Sequence, residues 1–573
     1  MKSTRRTFIG NTLAIGGAMV VSPFTKNLFA GVPQHQRGIT AEGTLLRSPS
    51  VHAGEAITVK WGKASIWEKM QTNVISMNGH VGPTFVVNKG DTLSAEFKNA
   101  LEQPFSIHWH GFELPEAMDG HPKDMFNNAE SKTYSFKVKQ RAGTYFYHSH
   151  AHEKTEQHVY RGMYGLFIVH DKEEEALKLP SGKRDIALAI QDVVTKDVNA
   201  EQRELEYDPN FMDGMNGWLG NTILTNGTPN AYTTVERAWH RIRLVNASGA
   251  RVYKIALSTK QPFYVIASDG GLLEKPVKAE FVWLSPGERY ELLVDFSQVN
   301  VGDSVSIVSE EYPKPPAHMG VDPTYPQGLP FTILRCDVTA DATDEFSIPD
   351  TLSTITRYKE SEAKRTRTFK LAMNGSGHTI NDKSFDDMMR ADEEVPLNEL
   401  EIWEFINTED DMQHPMHIHG AQFQILSRSS GDVPEIERGW KDVFTMAPKE
   451  VVRVLIKFEE YTGMYLVHCH NLAHEDHGMM INFMVMGEMD VQDGSNQPTM
   501  LQAQPSITQT TTRITFAPST TPRMLTLTDM RGVTLHSTII PAGATEHTLT
   551  VHSYPSGMYW VAVGTHAVKI IVE

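Results

Sequence analysis

Two short histidine motifs of this chain are each repeated more than three hundred residues further on, and that repeat leaves few folds open. IHWHGF at 107–112 is matched by MHIHGA at 416–421, and GTYFYHSH at 143–150 by GMYLVHCH at 463–470. Between them, SPGERYELLVDF at 285–296 parallels APKEVVRVLIKF at 447–458, each followed by a glycine and another strand-like run. Self-similarity on this scale means one structural plan used several times. It divides the body of the chain into three units, 40–172, 178–340 and 365–490. Period-two segments such as TFVVNKGDTLSAEFKNA and ERYELLVDF recur, bounded by Gly, Pro, Asn and Asp clusters, and no long amphipathic helix competes with them. The expected fold is all-β: three consecutive Greek-key β-sandwich or barrel units, with a small β-sandwich at the C-terminus.

At 573 residues the chain is long enough for about four domains of roughly 150 residues each. A net charge of −17 without a dense basic stripe argues against a nucleic-acid partner. Cysteine usage excludes a disulfide framework, because only Cys336 and Cys469 are present. A bridge between those two would consume the one thiol that stands inside a histidine motif. Cys336 has no motif around it and is expected to be a buried, apolar-like residue.

Strand geometry sorts the motif residues into two sets. Successive side chains of a strand point to opposite faces. His468 and His470 therefore face one way and Cys469 the other. By the same parity His417 shares a face with His419, His108 with His110, and His148 with His150, while His414 can point with the cysteine. Eight imidazoles then converge between the first and third units. Behind them lies a separate set of Cys469, His414 and the downstream His474, with Met479 placed to approach axially. Two imidazoles, a thiolate and a weak thioether are the donors of a blue copper site, and paired imidazoles suit a multinuclear copper cluster. The middle unit reads Ile307-Val308-Ser309 at the corresponding position and carries no ligands, and in the first unit Ser149 takes the place of the cysteine.

A lone histidine pair on a strand is more often packing than ligand, and a lone HCH is open to zinc. Structural zinc sites, however, favour pairs of cysteines, which this chain lacks. Four motifs, each with at least two histidines, at matching points of two repeated units are not explained by packing.

With HWHG, HSH, HPMHIHG and HCHNLAHEDHGMM all intact, residues 40–490 resemble the three-domain multicopper oxidases, the family of laccases, bilirubin oxidases and cuprous oxidases. The resemblance implies cupredoxin-like units and four copper ions per chain. By it, a type 1 copper takes His414, Cys469 and His474 with Met479 axial, and a type 2 copper takes His108 and His417. The type 3 pair takes His110, His148 and His470 on one ion and His150, His419 and His468 on the other. The implied reaction couples one-electron oxidation of a donor to four-electron reduction of dioxygen to water. That reduction consumes protons, so acids are expected near the cluster. Asp119, in HGFELPEAMDG, and Glu475, directly after His474, match the acids used by similar enzymes; on the residues alone they would read as a turn aspartate and a surface glutamate. Asp410 or Asp411 is expected to orient His414.

Phenolic or aromatic compounds are the expected donors. Cuprous oxidation for copper tolerance is the alternative, although the chain has no methionine between 337 and 372. A copper-sequestering relative without enzymatic activity would keep the ligands but not consume oxygen. A copper nitrite reductase would lack the paired histidine motifs.

Residues 1–30, with Thr4-Arg5-Arg6-Thr7-Phe8-Ile9 ahead of a broken apolar run, resemble a twin-arginine export signal; an ordinary secretory signal is the alternative. The expected product is a monomer handled by export machinery and released beyond the inner membrane, with no membrane insertion. Residues 491–510 read as a Gln/Thr/Ser/Pro-rich linker, and 511–573 as a small β-domain. That tail resembles a type IX secretion sorting domain, which would carry the protein to the cell surface; an accessory β-domain is the other reading.

Overall fold

The computed structural model describes residues 43–313 and 326–487, apart from 80, 210, 344 and 376, and in pieces residues 502–572. The proposed export signal and most of the proposed linker lie outside the described residues. The chain forms two compact units that divide at Glu488–Met489.

The first compact unit is three two-sheet β-sandwiches. Each is built from strands whose alternate side chains enter the space between sheets. The first pairs two four-stranded sheets around a core that includes Phe85, Phe97, Trp109, Tyr134 and Tyr147. The third pairs two five-stranded sheets around Trp403, Phe405, Phe444 and Phe483. The middle sandwich joins a six-stranded to an eight-stranded sheet over the largest core, in which Cys336 is fully buried.

The middle sandwich also takes in chain from outside the limits read in the sequence. Thr44–Leu45 do not belong to the first unit: they pair in parallel with Ala231–Tyr232 of the second. Downstream, Leu352 packs into the second core, beyond the predicted end at 340. Neither segment is long enough to show a period-two pattern, so nothing in it announced its sheet.

The C-terminal unit is a smaller sandwich of three-stranded and five-stranded sheets around Leu525, Leu527, Tyr559 and Val561. It starts earlier than expected. Gln502–Gln504 and Ile507–Thr508, placed by sequence in the linker, are strands that pair with Thr511–Thr515 and His566–Val572. Two or three residues at a sheet edge are too few to show an alternating pattern, and QAQ is polar, so the sequence does not mark them. Among the described residues no helix is long and apolar enough to cross a membrane.

The histidine motifs occupy equivalent strand pairs in the first and third sandwiches. Strand Ile107–His110 runs antiparallel to Gly143–Ser149, with His108 opposite His148 and Ile107 opposite Ser149. Strand His414–Ile418 runs antiparallel to Gly463–Cys469, with His417 opposite His468 and Met416 opposite Cys469. The two registers are the same, position for position. In the middle sandwich the corresponding pair sets Leu257 against Ile307 and Ile255 against Ser309.

Candidate metal centre

Directly opposed histidines on neighbouring strands bring four imidazoles to one face of each outer sandwich, and the two faces meet. Nε2 of His108 lies 3.2 Å from Nε2 of His417, across the boundary between the first and third sandwiches. Nε2 of His419 is 3.1 Å from Nε2 of His468, and Nδ1 of His110 is 3.4 Å from Nε2 of His148. His150 packs against His419 and His468 with ring centroids 5.1 Å away, and His470 lies 4.9 Å from His110 and 5.3 Å from His148. All eight predicted histidines are buried together.

The outer ring nitrogens explain why the inner ones are free. Nδ1 of His108 donates to the main-chain oxygen of Asp119 at 2.8 Å, and Nδ1 of His417 to that of Asp442 at 2.7 Å. Nδ1 of His419 donates to Oδ2 of Asp119 at 2.7 Å, and Nδ1 of His148 to the Ser149 oxygen at 2.9 Å. Nε2 of His110 donates to Oδ1 of Asp442 at 3.0 Å, which turns its Nδ1 inward. An acceptor on one nitrogen fixes the tautomer and leaves the other as a lone-pair donor. Burial pushes His108, His110, His150, His417, His419 and His470 well below the ordinary imidazole range, and His148 to about 4, so the rings stay neutral. Nε2 of His150 and both ring nitrogens of His470 are buried without a hydrogen-bond partner. A buried, unpaired nitrogen is costly unless something occupies it, and a set of neutral imidazoles facing one another is what a metal cluster requires.

The sulfur set forms on the opposite face of the same strand. Sγ of Cys469 is 3.6 Å from Nδ1 of His414 and 3.6 Å from Nδ1 of His474. Met479 is fully buried in the same core as Cys469, and its backbone ties to both neighbours: its oxygen accepts from Cys469 N at 3.1 Å and its N donates to His474 O at 2.8 Å. Burial pushes the Cys469 thiol up, so the thiolate forms only with a cation to pair it. Two imidazoles and one sulfur within a single donor sphere, in a dry site, fit copper and do not fit a closed zinc site.

Two family profiles described as multicopper oxidase match residues 58–174 and 348–488. A multicopper oxidase of Staphylococcus haemolyticus is 32% identical over 73% of this chain and 85% of its own. The chain belongs to the multicopper oxidase family. The bilirubin oxidase of Albifimbria verrucaria is 33% identical over 70% of this chain and 71% of its own. The crystal structure of the McoA multicopper oxidase from the hyperthermophile Aquifex aeolicus superposes with a TM-score of 0.70 at 34% identity, covering 78% of this chain and all of that one. This oxidase is therefore an oxidoreductase with copper cofactors that uses dioxygen and a reductant.

The two predicted acids of the oxidase both touch the histidine cluster. Asp119 accepts from His419 as described, and its Oδ1 is 3.6 Å from Nδ1 of His108. Burial, reinforced by Asp124, holds its carboxyl well above the ordinary range. Glu475 lies on the other side, with Oε2 3.2 Å from Nδ1 of His468 and Oε1 3.5 Å from Nδ1 of His150.

The expected partner of His414 needs correcting. Asp410 does not orient it, being exposed and paired with Lys449. Oε1 of Glu409 lies 3.3 Å from Nε2 of His414 and accepts from Nδ1 of His378 at 2.9 Å. Burial pushes the Glu409 carboxyl up, but its bonds to His378 and His414 outweigh that and hold it at about 2. Nε2 of His378 lies 2.9 Å from the main-chain oxygen of Met215, an oxygen that accepts from Nε2 of His474 at 3.0 Å. A closed polar ring thus runs from Cys469 through His414, Glu409, His378, the Met215 carbonyl and His474. Glu409 stands in a run of three acids and His378 in no motif, so sequence could not single out either.

Proposed function

We propose that this oxidase takes single electrons from phenolic or aromatic donors at the sulfur site and reduces dioxygen to water at the histidine cluster, as a monomer beyond the inner membrane. His414, Cys469 and His474, with Met479 buried beside them, would hold one copper. His108 and His417 would hold a second, His110, His148 and His470 a third, and His150, His419 and His468 a fourth. Copper bound in these places supplies the one-electron steps and the oxygen chemistry; the protein supplies the arrangement. The observation that carries the reading is the single strand that presents Cys469 to one donor set and His468 and His470 to the other. The peptide between them is a covalent bridge of two adjacent residues.

Around that bridge the chain's own groups bind, orient and exclude water. Asp442, the Asp119 backbone and the Ser149 carbonyl set ring orientation. Asp119 and Glu475, both fully enclosed beside the cluster, hold and pass the protons that water formation consumes. An organic donor is supported by the relative named bilirubin oxidase. The second reading, cuprous oxidation, is favoured by the helix Phe211–Asn216, which brings Met215 to the outer edge of His474, its main-chain oxygen 3.0 Å from Nε2.

The proposed export route and a surface destination rest on the N-terminal and C-terminal sequence. Removing 500–573 and finding the protein still at the cell surface would remove the sorting role of the tail. For the chemistry, turnover on a phenol and on copper(I) at matched copper loading separates the two donor readings. Preference for copper(I) would overturn the phenolic one, and absence of oxygen uptake with both would leave a sequestering protein.

A further inference from the structure

Arg289 stands where all three sandwiches meet, although it belongs to the middle one, which supplies none of the predicted metal ligands. It lies in the SPGER turn and is fully buried. Each of its five N–H bonds has an acceptor. Nε donates to the Thr144 oxygen of the first sandwich at 3.3 Å. Nη1 donates to the Gly287 oxygen at 2.8 Å and Nη2 to the Asp269 oxygen at 2.9 Å, both in the middle sandwich. The remaining two grip Asp442 of the third sandwich as a fork, at 2.6 Å to Oδ1 and 2.5 Å to Oδ2.

Asp442 passes this grip on to the histidine cluster. Its Oδ1 accepts from Nε2 of His110, and its main-chain oxygen accepts from Nδ1 of His417, so one residue orients an imidazole from each outer sandwich. Two glycines make the approach feasible. A Cβ on Gly111 would lie 2.5 Å from Oδ2 of Asp442 and 2.7 Å from Nη2 of Arg289, and Gly111 has φ of +85°. A Cβ on Gly287, at φ +82°, would press within 3.1 Å of both His110 and His470. The backbone on both sides of the guanidinium is thus stripped to its minimum so that the fork and the imidazoles fit together.

We infer that Arg289 is a positioning residue for the histidine cluster: through its fork on Asp442 it sets the orientation of His110 and His417, which makes the middle sandwich, source of none of the predicted ligands, a working part of the metal centre. The inference rests on the assignment of those imidazoles to copper. A lysine carries the same charge but has no planar fork, so it holds Asp442 at one point and leaves the carboxylate free to rotate. A buried ion pair that only tied the sandwiches together would affect the whole fold instead.

The test uses full-length, copper-loaded wild type, Arg289→Lys and Asp442→Asn. Four quantities are compared: copper per chain, the thiolate absorption near about 600 nm, the paramagnetic signal of the histidine-bound copper, and the melting temperature of the metal-free protein. The expected result is a several-fold loss of histidine-bound copper, or an altered paramagnetic signal, with the thiolate band and the metal-free melting temperature kept. Wild-type copper content and signals in both variants would overturn the inference. So would parallel loss of the thiolate band and of metal-free stability, which would make the residue a general tie. If Arg289→Lys does not fold, Asp442→Asn decides, because it leaves the other three bonds of the guanidinium in place. Absence of both signals from wild type would sink the copper assignment itself, a different failure.

Discussion

Cys469 and His468 are bonded neighbours that reach into different chemistry: the sulfur lies 3.6 Å from His414 and His474, while Nε2 of His468 lies 3.1 Å from His419 on the far side of the strand. The pleat accomplishes this without any unusual backbone, since extended residues alternate faces by default.

Replacing Cys469 with serine is expected to abolish the absorption near about 600 nm while histidine-bound copper stays in place. Donor oxidation should fall at least about a hundredfold, because the thiolate is the link between the two sets. Copper analysis together with an absorption spectrum checks both halves, and parallel loss of all copper would contradict the separation of the two sites.

Asp119→Asn and Glu475→Gln keep the shape of each acid and remove its proton. Oxygen-reduction turnover should drop by about a hundredfold or more in each, the usual scale of general acid catalysis. Anaerobic bleaching of the thiolate band by the donor should be unaffected. Unchanged steady-state turnover in the double variant would refute the proton role.

Stability should depend on pH through Glu156, a carboxyl buried beside Tyr207, whose hydroxyl donates to Oε2 at 2.9 Å. Burial raises it from 4.5 to about 7. Between those values the folded protein holds a proton that the unfolded chain has lost, so the contribution of Glu156 is fully present below about pH 4.5, falls as pH rises through the window and is gone above about pH 7. The effect is about 1 to 3 kcal/mol. Melting curves of wild type and Glu156→Gln should diverge in favour of the variant from about pH 5 to pH 8. A constant difference across that range would remove Glu156 as the cause.

Cys336 is expected to be packing and nothing more. It is fully buried in the middle core and remote in sequence from every motif. Cys336→Ala should cost about 1 kcal/mol in unfolding experiments and leave copper content and spectra at wild-type values. Any loss of copper would give it a role that the structure does not.

Legibility followed pattern length. The twelve predicted ligand positions stand in four motifs, and strand parity separates the paired histidines from Cys469 and His414, as the structure does. Asp119 and Glu475 are singled out through the family resemblance, because each sits inside or beside a motif that carries it. Asp442, Arg289, Glu409 and His378 are not, since each acts across sandwich boundaries or strands far apart in sequence and has no local spacing to mark it. Thr44–Leu45 and Gln502–Gln504 are hidden by length: two or three residues cannot show alternation. Glu409 rather than Asp410 reaches His414, and nothing in the spacing of three consecutive acids marks which one the chain turns inward.

Ser149 occupies in the first sandwich the register that Cys469 occupies in the third, and its hydroxyl is engaged by Nδ1 of His158 at 2.9 Å. The position that mirrors the sulfur is thus filled by a hydroxyl with a partner of its own, and Phe105 and Lys154 stand where the third sandwich has His414 and His474. Duplication of the histidine pairs therefore brings no second sulfur set with it, and the two halves of the repeat differ in the chemistry behind the strand.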